Sequence, residues 1–275
     1  MDTLVSTQWL AEQLGSNAPA ILDASAHLPD ADRDAKAEFA GEHVPDARFL
    51  DLERFVDTGS DVPKALPTAR QFAERMEALG IAPTTPIVLY DDSAIRSSAR
   101  AWFIFRLFGH KDVAILDGGL AKWRAEGRPV EQGRSEAVEA TVYPVPNPKP
   151  AVRTKADMLA NVDSGAEQVV DARDTARFAG EEGSGSEGHI PGAHSVHFAR
   201  LLNADGTYRS PEDIRTEFAA ADVDLSRPVV TSCNSGITAA VLAFGLDRAG
   251  HQGAALYDGS WMEWGADPAT PKERG

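Results

Sequence analysis

The chain has one cysteine among 275 residues, and no part of it is a long uninterrupted hydrophobic run. A single cysteine forms no internal disulfide and supplies no cysteine-rich zinc site. A membrane-spanning helix needs about 18 consecutive apolar residues, which the sequence does not offer. Residues 1–15 contain no basic residue and no long apolar core. We therefore expect no signal peptide and a cytoplasmic protein that does not bind membranes.

Positive charge is also scarce. The 27 Lys and Arg residues stand against 42 Asp and Glu residues, a formal net charge of −15. Such a charge argues against nucleic acid as a general partner. The hydrophobic content of 43% and the charged content of 25% are ordinary for a soluble globular protein.

Two halves of the chain carry the same blocks of sequence in the same order. Residues 86–95 align with 228–237, with four of ten positions identical. Three further pairs of blocks match: 21–24 with 169–172, 38–47 with 177–193, and 109–123 with 250–264. Ordered self-similarity of this kind is typical of duplicated domains. The chain is therefore predicted to hold two copies of one domain.

Each copy alternates short apolar runs with helical stretches. The runs 87–90, 114–116, 169–170 and 228–231 resemble buried parallel strands. Residues 68–79 and 238–249 are predicted to be helices. This alternation predicts an α/β fold, in which each domain has a mainly parallel sheet with helices on both faces.

A proline occupies every second position from 144 to 150. Proline removes backbone donors and favours extended geometry, so this stretch is predicted to be a semi-rigid linker. We expect a first domain at residues 1–136, a linker at 137–152 and a second domain at 153–275.

The lone cysteine, Cys233, follows an apolar run and precedes an alanine-rich helix. The N–H groups and the dipole at that helix terminus favour a thiolate. The predicted anion-binding loop is Cys233, Asn234, Ser235, Gly236, Ile237 and Thr238. A buried structural cysteine is the alternative. Asp91 occupies the equivalent place in the first copy, which is therefore predicted to be catalytically silent, unless Asp91 is an ordinary turn residue.

Two other cysteine chemistries fit less well. A cysteine phosphatase needs an arginine six residues after the nucleophile, where this chain has Ala239. An acyl-transfer enzyme needs a nearby histidine, and the candidates are His189, His194 and His197. His189 recurs as His43 in the silent copy, which favours a turn-stabilising role. We expect no metal site.

The chain resembles the tandem-domain sulfurtransferases of the rhodanese superfamily over nearly its whole length. The segments that carry the resemblance are Gly-His-Ile-Pro-Gly-Ala (188–193), the loop 233–238, Leu-Asp-Gly-Gly-Leu-Ala-Lys-Trp (116–123) and Tyr-Asp-Gly-Ser-Trp-Met-Glu-Trp-Gly (257–265). The resemblance implies two rhodanese-like domains, the first inactive. It also implies that Cys233 carries sulfur as a persulfide, without a cofactor, from a small anionic donor to a thiol, thioredoxin or cyanide.

Within that family the loop 233–238 is closer to the mercaptopyruvate-specific enzymes than to thiosulfate-preferring ones, which tend to carry basic residues after the cysteine. The resemblance therefore implies 3-mercaptopyruvate as the favoured donor. Thiosulfate:cyanide transfer and a non-catalytic persulfide carrier stay open as alternatives.

The resemblance also assigns the substrate-binding positions. The family's anion-binding arginine falls on Arg177, for which a surface ion pair with Glu181 or Glu182 is the alternative. A second substrate arginine of the family falls on Ser186. Its first-domain acidic residue and histidine fall on Glu53 and Lys64. Lysine does not replace histidine as an acid or base here, although Lys64 could attract a carboxylate.

Overall fold

The computed structural model describes residues 1–15, 18–135 and 138–275, and these form two compact units. Unit 1 comprises residues 1–57, 66–149 and 204–208. Unit 2 comprises 58–65, 150–203 and 209–275. Each unit thus includes one short segment from the other half of the sequence. The predicted boundary between residues 136 and 137 lies outside the described residues.

Unit 1 is built on a five-stranded parallel sheet. Its strands are β1 (Leu4–Val5), β2 (Ala20–Asp23), β3 (Arg48–Phe49), β4 (Ile87–Tyr90) and β5 (Val113–Leu116). They lie in the order β1-β5-β4-β2-β3. The helices are α1 (Thr7–Gln13), α2 (Ala35–Gly41), α3 (Ala69–Ala78), α4 (Ser98–Leu107) and α5 (Gly119–Ala125).

Unit 2 repeats this strand order position by position. Its strands are β6 (Val152–Arg153), β7 (Gln168–Asp171), β8 (His194–Ser195), β9 (Val229–Ser232) and β10 (Ala255–Tyr257), in the order β6-β10-β9-β7-β8. The helices are α6 (Lys155–Ser164), α7 (Thr175–Ala179), a 3₁₀ helix (Phe198–Leu201), α8 (Pro211–Ala220), α9 (Ile237–Arg248) and α10 (Ser260–Trp264). All strand pairs in both sheets are parallel, which confirms the predicted α/β fold.

The predicted elements differ from the observed ones by at most one residue at either end, and the run 87–90 matches β4. Strand β9 begins after Pro228, which has no N–H to donate and instead accepts a hydrogen bond from the Gln168 N–H through its carbonyl (2.9 Å). Helix α3 begins at Ala69 because Thr68 is its N-cap and accepts a hydrogen bond from the Gln71 N–H (3.3 Å).

The proline-rich stretch is attached to unit 1 near both of its ends. The Tyr143 N–H donates to the Glu77 carboxylate (3.0 Å), and the buried Tyr143 ring meets Phe72 edge to face with 5.4 Å between ring centroids. The Lys149 N–H donates to the Leu107 carbonyl at 2.8 Å. These contacts hold the stretch against α3 and α4.

The core of unit 2 is packed around Trp264. Its indole is fully buried beside Met158, Val230 and Tyr257, and its N–H donates to the Pro271 carbonyl at 2.8 Å. Trp123 occupies the same place in unit 1 and donates to Pro129.

Replacing Trp264 with Ala leaves a large cavity in this core. We expect the free energy of unfolding to fall by about 3–5 kcal/mol, measured by denaturant unfolding followed by circular dichroism. Met262→Ala is the matched control, since that side chain lies on the same helix but is partly exposed. Equal effects of the two substitutions would contradict the proposed packing.

Candidate active site

Cys233 lies at the carboxyl end of β9, where the chain turns into α9. Its thiol is 1% exposed, and Sγ accepts a hydrogen bond from the Gly236 N–H at 3.1 Å. Gly236 has a φ of +78° and precedes the first residue of α9, so its backbone N–H can turn back toward the sulfur. The predicted strand–loop–helix geometry is therefore present, with an N–H donor aimed at Cys233 Sγ.

The amino end of α10 holds this loop in place through three hydrogen bonds. The Cys233 N–H donates to the Ser260 hydroxyl (3.2 Å), which itself donates to the Tyr257 carbonyl (2.8 Å). The Trp261 N–H donates to the Cys233 carbonyl (3.0 Å), and the Met262 N–H donates to the Asn234 carbonyl (2.9 Å). We call these contacts the α10 clamp.

The rest of the loop lies at or near the surface. Asn234 is exposed, and Ser235, Ile237 and Thr238 are partly exposed, whereas Gly236 is buried beneath them. The loop therefore presents its outer face to solvent while its sulfur lies inside.

The first copy fills the same turn with a carboxylate. Asp91 is 3% exposed; its Oδ1 accepts from the Ser93 N–H (2.9 Å) and its Oδ2 from the Ser98 N–H (2.8 Å) at the start of α4. The Leu120 N–H donates to the Asp91 carbonyl at 3.1 Å, as Trp261 does to Cys233. In the first copy, a side-chain carboxylate of the chain itself therefore accepts the hydrogen bonds of these N–H groups.

A cavity of about 420 Å³ opens beside α2 and α5 in unit 1. Its charged lining residues are Asp23, Arg33, Glu38, Glu42, Asp92 and Arg124. Arg33 pairs with Glu38 (2.8 Å) and Asp92 (3.4 Å), while Arg124 also pairs with Asp92. Burial raises the pKa of Asp23 to about 6. Acidic side chains therefore outnumber basic ones in this lining. In the alignment of the two copies, Glu38 takes the position that Arg177 has in the second copy.

The predicted anion-binding residue, Arg177, already has a carboxylate partner. Its Nε donates to Asp174 Oδ2 at 2.6 Å, and both side chains are about 40% exposed. Burial alone would raise the pKa of Asp174, but hydrogen bonds from the backbone and side chain of Arg177 lower it. Arg177 is thus in a surface ion pair, as the alternative reading expected, but its partner is Asp174, the N-cap of α7 one helical turn away, and not Glu181 or Glu182.

Ser186, where a second arginine was expected, is turned toward the protein interior. Its hydroxyl accepts from Arg173 Nη1 (2.9 Å) and donates to the Gly188 carbonyl (3.0 Å). Arg173 is 1% exposed, pairs with Asp171 (2.7 Å) and lies 4.4 Å from the centre of the Trp261 ring. Ser186 therefore anchors the loop that carries it, and it brings no charge to the site.

The two remaining predicted residues fall in different units. Lys64 belongs to the segment 58–65 of unit 2, is exposed, and has a φ of +55°. Glu53 is exposed in unit 1.

Each of the repeated histidines, His43 and His189, stacks on a phenylalanine and lies close to that residue's carbonyl oxygen. His189 is buried, stacks on Phe178 with ring centroids 3.7 Å apart, and its Nδ1 lies 2.8 Å from the Phe178 carbonyl. His43 makes the same contacts with Phe39. His194 Nδ1 lies 2.8 Å from the Ala221 carbonyl. None of these contacts involves the loop 233–238.

Sequence reasoning missed Ser260, Arg173 and Asp174. Ser260 lies in a motif that was noted only for its resemblance, and it differs between the copies: the first copy has Gly119 there. This difference, a hydroxyl group in one copy and none in the other, was the feature of the sequence that could have pointed to Ser260. Asp174 was readable as an N-cap three residues before Arg177.

Comparisons with known proteins show the family of both halves of the chain. The family model of the Rhodanese-like domain matches twice, at residues 6–126 and 154–267. The 3-mercaptopyruvate sulfurtransferase of Mus musculus is 41% identical over 95% of this chain and 91% of its own length. The thiosulfate sulfurtransferase of Cricetulus griseus is 38% identical over 99% of this chain and 95% of its own.

A solved structure extends the likeness to the fold. The crystal structure of SseA from Escherichia coli, described among 3-mercaptopyruvate sulfotransferases, has a TM-score of 0.84 and 34% sequence identity. It covers 95% of this chain and 99% of that one. The chain belongs to the rhodanese-like family, as its sequence resemblance implied.

Two further observations concern the described residues. None of their helices is long and apolar enough to cross a membrane. Across the same ranges, no group of three or more His, Cys, Asp or Glu side chains is placed to hold a metal ion.

Asp91→Ala removes the acceptor of two buried N–H groups in the turn that follows β4. We expect the free energy of unfolding to fall by about 1–3 kcal/mol for each donor left unpaired, measured by denaturant unfolding. Asp91→Asn keeps one carbonyl oxygen as acceptor and is expected to lose less. If Asp91→Ala is as stable as the parent protein, the carboxylate does not satisfy this turn.

Proposed function

We propose that the protein is a sulfurtransferase that moves a sulfur atom from a small anionic donor, 3-mercaptopyruvate foremost, to a thiol, thioredoxin or cyanide through a persulfide on Cys233. The observation that carries this is the Gly236 N–H bonded to Cys233 Sγ (3.1 Å) inside a turn fixed by the α10 clamp. A preorganised donor of this kind stabilises negative charge on sulfur in both the thiolate and the persulfide.

In the first step the Cys233 thiolate attacks the sulfur of 3-mercaptopyruvate. An S–S bond forms and the donor's C–S bond breaks, with its electron pair passing to carbon. The proton of the donor thiol ends on that carbon, so pyruvate leaves and an anionic persulfide stays on Cys233. Arg177 binds the donor's carboxylate in this scheme, in place of Asp174. The roles of Lys64 and Glu53 in donor binding stay predictions from the family resemblance.

In the second step an acceptor thiolate or cyanide attacks the outer sulfur. The S–S bond breaks, its electron pair returns to Cys233, and the acceptor leaves as a persulfide or as thiocyanate. The loop residues Asn234, Ser235, Gly236, Ile237 and Thr238 surround the sulfur throughout.

The domain roles belong to the same proposal. Residues 1–136 form the silent domain, in which Asp91 replaces the nucleophile, and 137–152 form the linker. Residues 153–275 form the catalytic domain. A cytoplasmic location stays a prediction from sequence.

Thiosulfate transfer is the second candidate, since a relative named for that activity is 38% identical. Turnover of 3-mercaptopyruvate and of thiosulfate, each with cyanide as acceptor, separates the two. We expect a higher kcat/KM with 3-mercaptopyruvate.

Arg177→Ala is expected to raise the KM for 3-mercaptopyruvate about tenfold or more, because a charge-assisted hydrogen bond to the carboxylate is lost. Cys233→Ser is expected to abolish turnover. The wild-type protein and Arg274→Ala, a change at an arginine near the carboxyl end of the chain, serve as controls. Transfer by Cys233→Ser contradicts the mechanism, and an unaltered KM in Arg177→Ala removes Arg177 from the site.

If the protein is instead a non-catalytic persulfide carrier, we expect a different result. It acquires a persulfide on Cys233 but shows no steady turnover with either donor.

A further inference from the structure

Arg173 carries a positive charge inside unit 2, just after β7 ends. Its side chain is 1% exposed, and a buried charge of this kind needs partners for its N–H groups. Nε donates to both carboxylate oxygens of Asp171 (3.1 and 3.0 Å), and Nη2 donates to Asp171 Oδ2 (2.7 Å) and to the Gly188 carbonyl (2.9 Å). Nη1 donates to the Ser186 hydroxyl at 2.9 Å. These bonds join the end of β7 to the loop that precedes β8.

The face of the same guanidinium lies against an aromatic ring. Because the N–H groups lie in the guanidinium plane, the hydrogen bonds occupy its edge and leave its face for stacking. The centre of the Trp261 ring lies 4.4 Å from Arg173 Cζ. Gly265 leaves room for this indole, since a Cβ there would lie 2.7 Å from the indole nitrogen. The ring is therefore confined both by Arg173 and by the end of α10.

Trp261 also belongs to the α10 clamp through its backbone. Its N–H donates to the Cys233 carbonyl at 3.0 Å. The indole and this N–H are parts of one residue in the first turn of a hydrogen-bonded helix, so a shift of the ring moves the clamp as well. The turn in which the Gly236 N–H meets Cys233 Sγ therefore depends on where Arg173 holds the indole.

The first copy lacks both members of this pair. Ser25 aligns with Arg173, and Leu120 aligns with Trp261. The first copy holds its turn in another way, because the Asp91 carboxylate binds two N–H groups of that turn. A nucleophilic sulfur cannot tie its own turn in this manner, since it changes its bonds in each step of the proposed reaction. The turn of the second copy therefore needs support from another element.

We propose that Arg173 is a positioning residue for Cys233 and acts through Trp261. The guanidinium fixes the indole, the indole fixes the amino end of α10, and the α10 clamp keeps the Gly236 N–H aimed at Sγ. Arg173 itself is buried and bound to protein groups, so it touches neither the donor nor the reacting atoms. The inference deepens the proposed sulfurtransferase function, on which its catalytic consequence rests.

The pH profile of Cys233 alkylation by iodoacetamide tests the positioning without turnover. A thiolate that loses an aligned N–H donor forms at higher pH. Arg173→Lys keeps the charge opposite Asp171 but loses the planar face, and we expect the midpoint of the profile to rise by about 0.5 to 1 pH unit. Trp261→Leu, which gives the second copy the side chain of the first, is expected to cause a similar rise. Trp261→Phe keeps an aromatic face and should retain most of the wild-type midpoint.

A double variant distinguishes action through Trp261 from an independent effect. If Arg173 acts through the indole, Arg173→Lys combined with Trp261→Leu shifts the midpoint no further than Trp261→Leu alone. The matched control is Arg153→Lys. Arg153 also binds one carboxylate through Nε and Nη2, that of Glu167 (2.7 and 2.8 Å), but it lies in β6. This control is expected to leave the profile unchanged.

The steady-state kinetics should show the same role. Arg173→Lys is expected to lower kcat for 3-mercaptopyruvate about threefold to tenfold, because an N–H donor to the sulfur is misaligned. The KM should change little, since Arg173 does not bind the donor. Arg177→Ala is expected to show the opposite division between kcat and KM.

Each outcome decides between the proposals. A wild-type midpoint in either Arg173→Lys or Trp261→Leu overturns the positioning role, and so do shifts that add in the double variant. If circular dichroism shows that Arg173→Lys does not fold, Ser186→Ala takes its place, because it removes one edge hydrogen bond of the guanidinium. A smaller rise in Ser186→Ala then supports the role, and an unchanged midpoint overturns it. Variants that shift as expected in a protein that turns over neither donor overturn the sulfurtransferase function instead.

Discussion

The backbone N–H groups at the start of α9 require a hydrogen-bond acceptor. The rest of the site depends on which group accepts these hydrogen bonds. In unit 2 the partner is Cys233 Sγ, which accepts from Gly236 at 3.1 Å. The turn keeps this geometry because Ser260 and Trp261 bind the N–H and the carbonyl of the same cysteine. A sulfur held against a backbone donor can carry negative charge before and after it receives a second sulfur.

The same turn in unit 1 shows what an anion does there. The Asp91 carboxylate accepts two N–H groups and ties the turn to α4, so the donors are already used. Acidic side chains predominate in the cavity beside it, and one of them, Glu38, aligns with Arg177 of the second copy. The two copies therefore differ in the acceptor at this turn, which is a carboxylate in the first and Cys233 Sγ in the second.

The sequence predicted the fold well because duplication supplied two independent patterns for the same elements. Strand β4 matched its predicted bounds, and α9 shifted by one residue. The site was harder to predict, because its supporting contacts join distant segments. The pairing of Arg177 with Asp174 is local, but the link from Ser186 to Arg173 and Trp261 needs two loops and α10 to meet. Ser260 and Cys233 are 27 residues apart, and only the folded sheet shows that one binds the other.

The measurement that tests the central claim most directly is mass spectrometry of the intact protein after incubation with 3-mercaptopyruvate and no acceptor. The account predicts a gain of one sulfur atom, located on the peptide that contains Cys233 and lost again when cyanide is added. A protein that releases pyruvate without any added sulfur on Cys233 would contradict it.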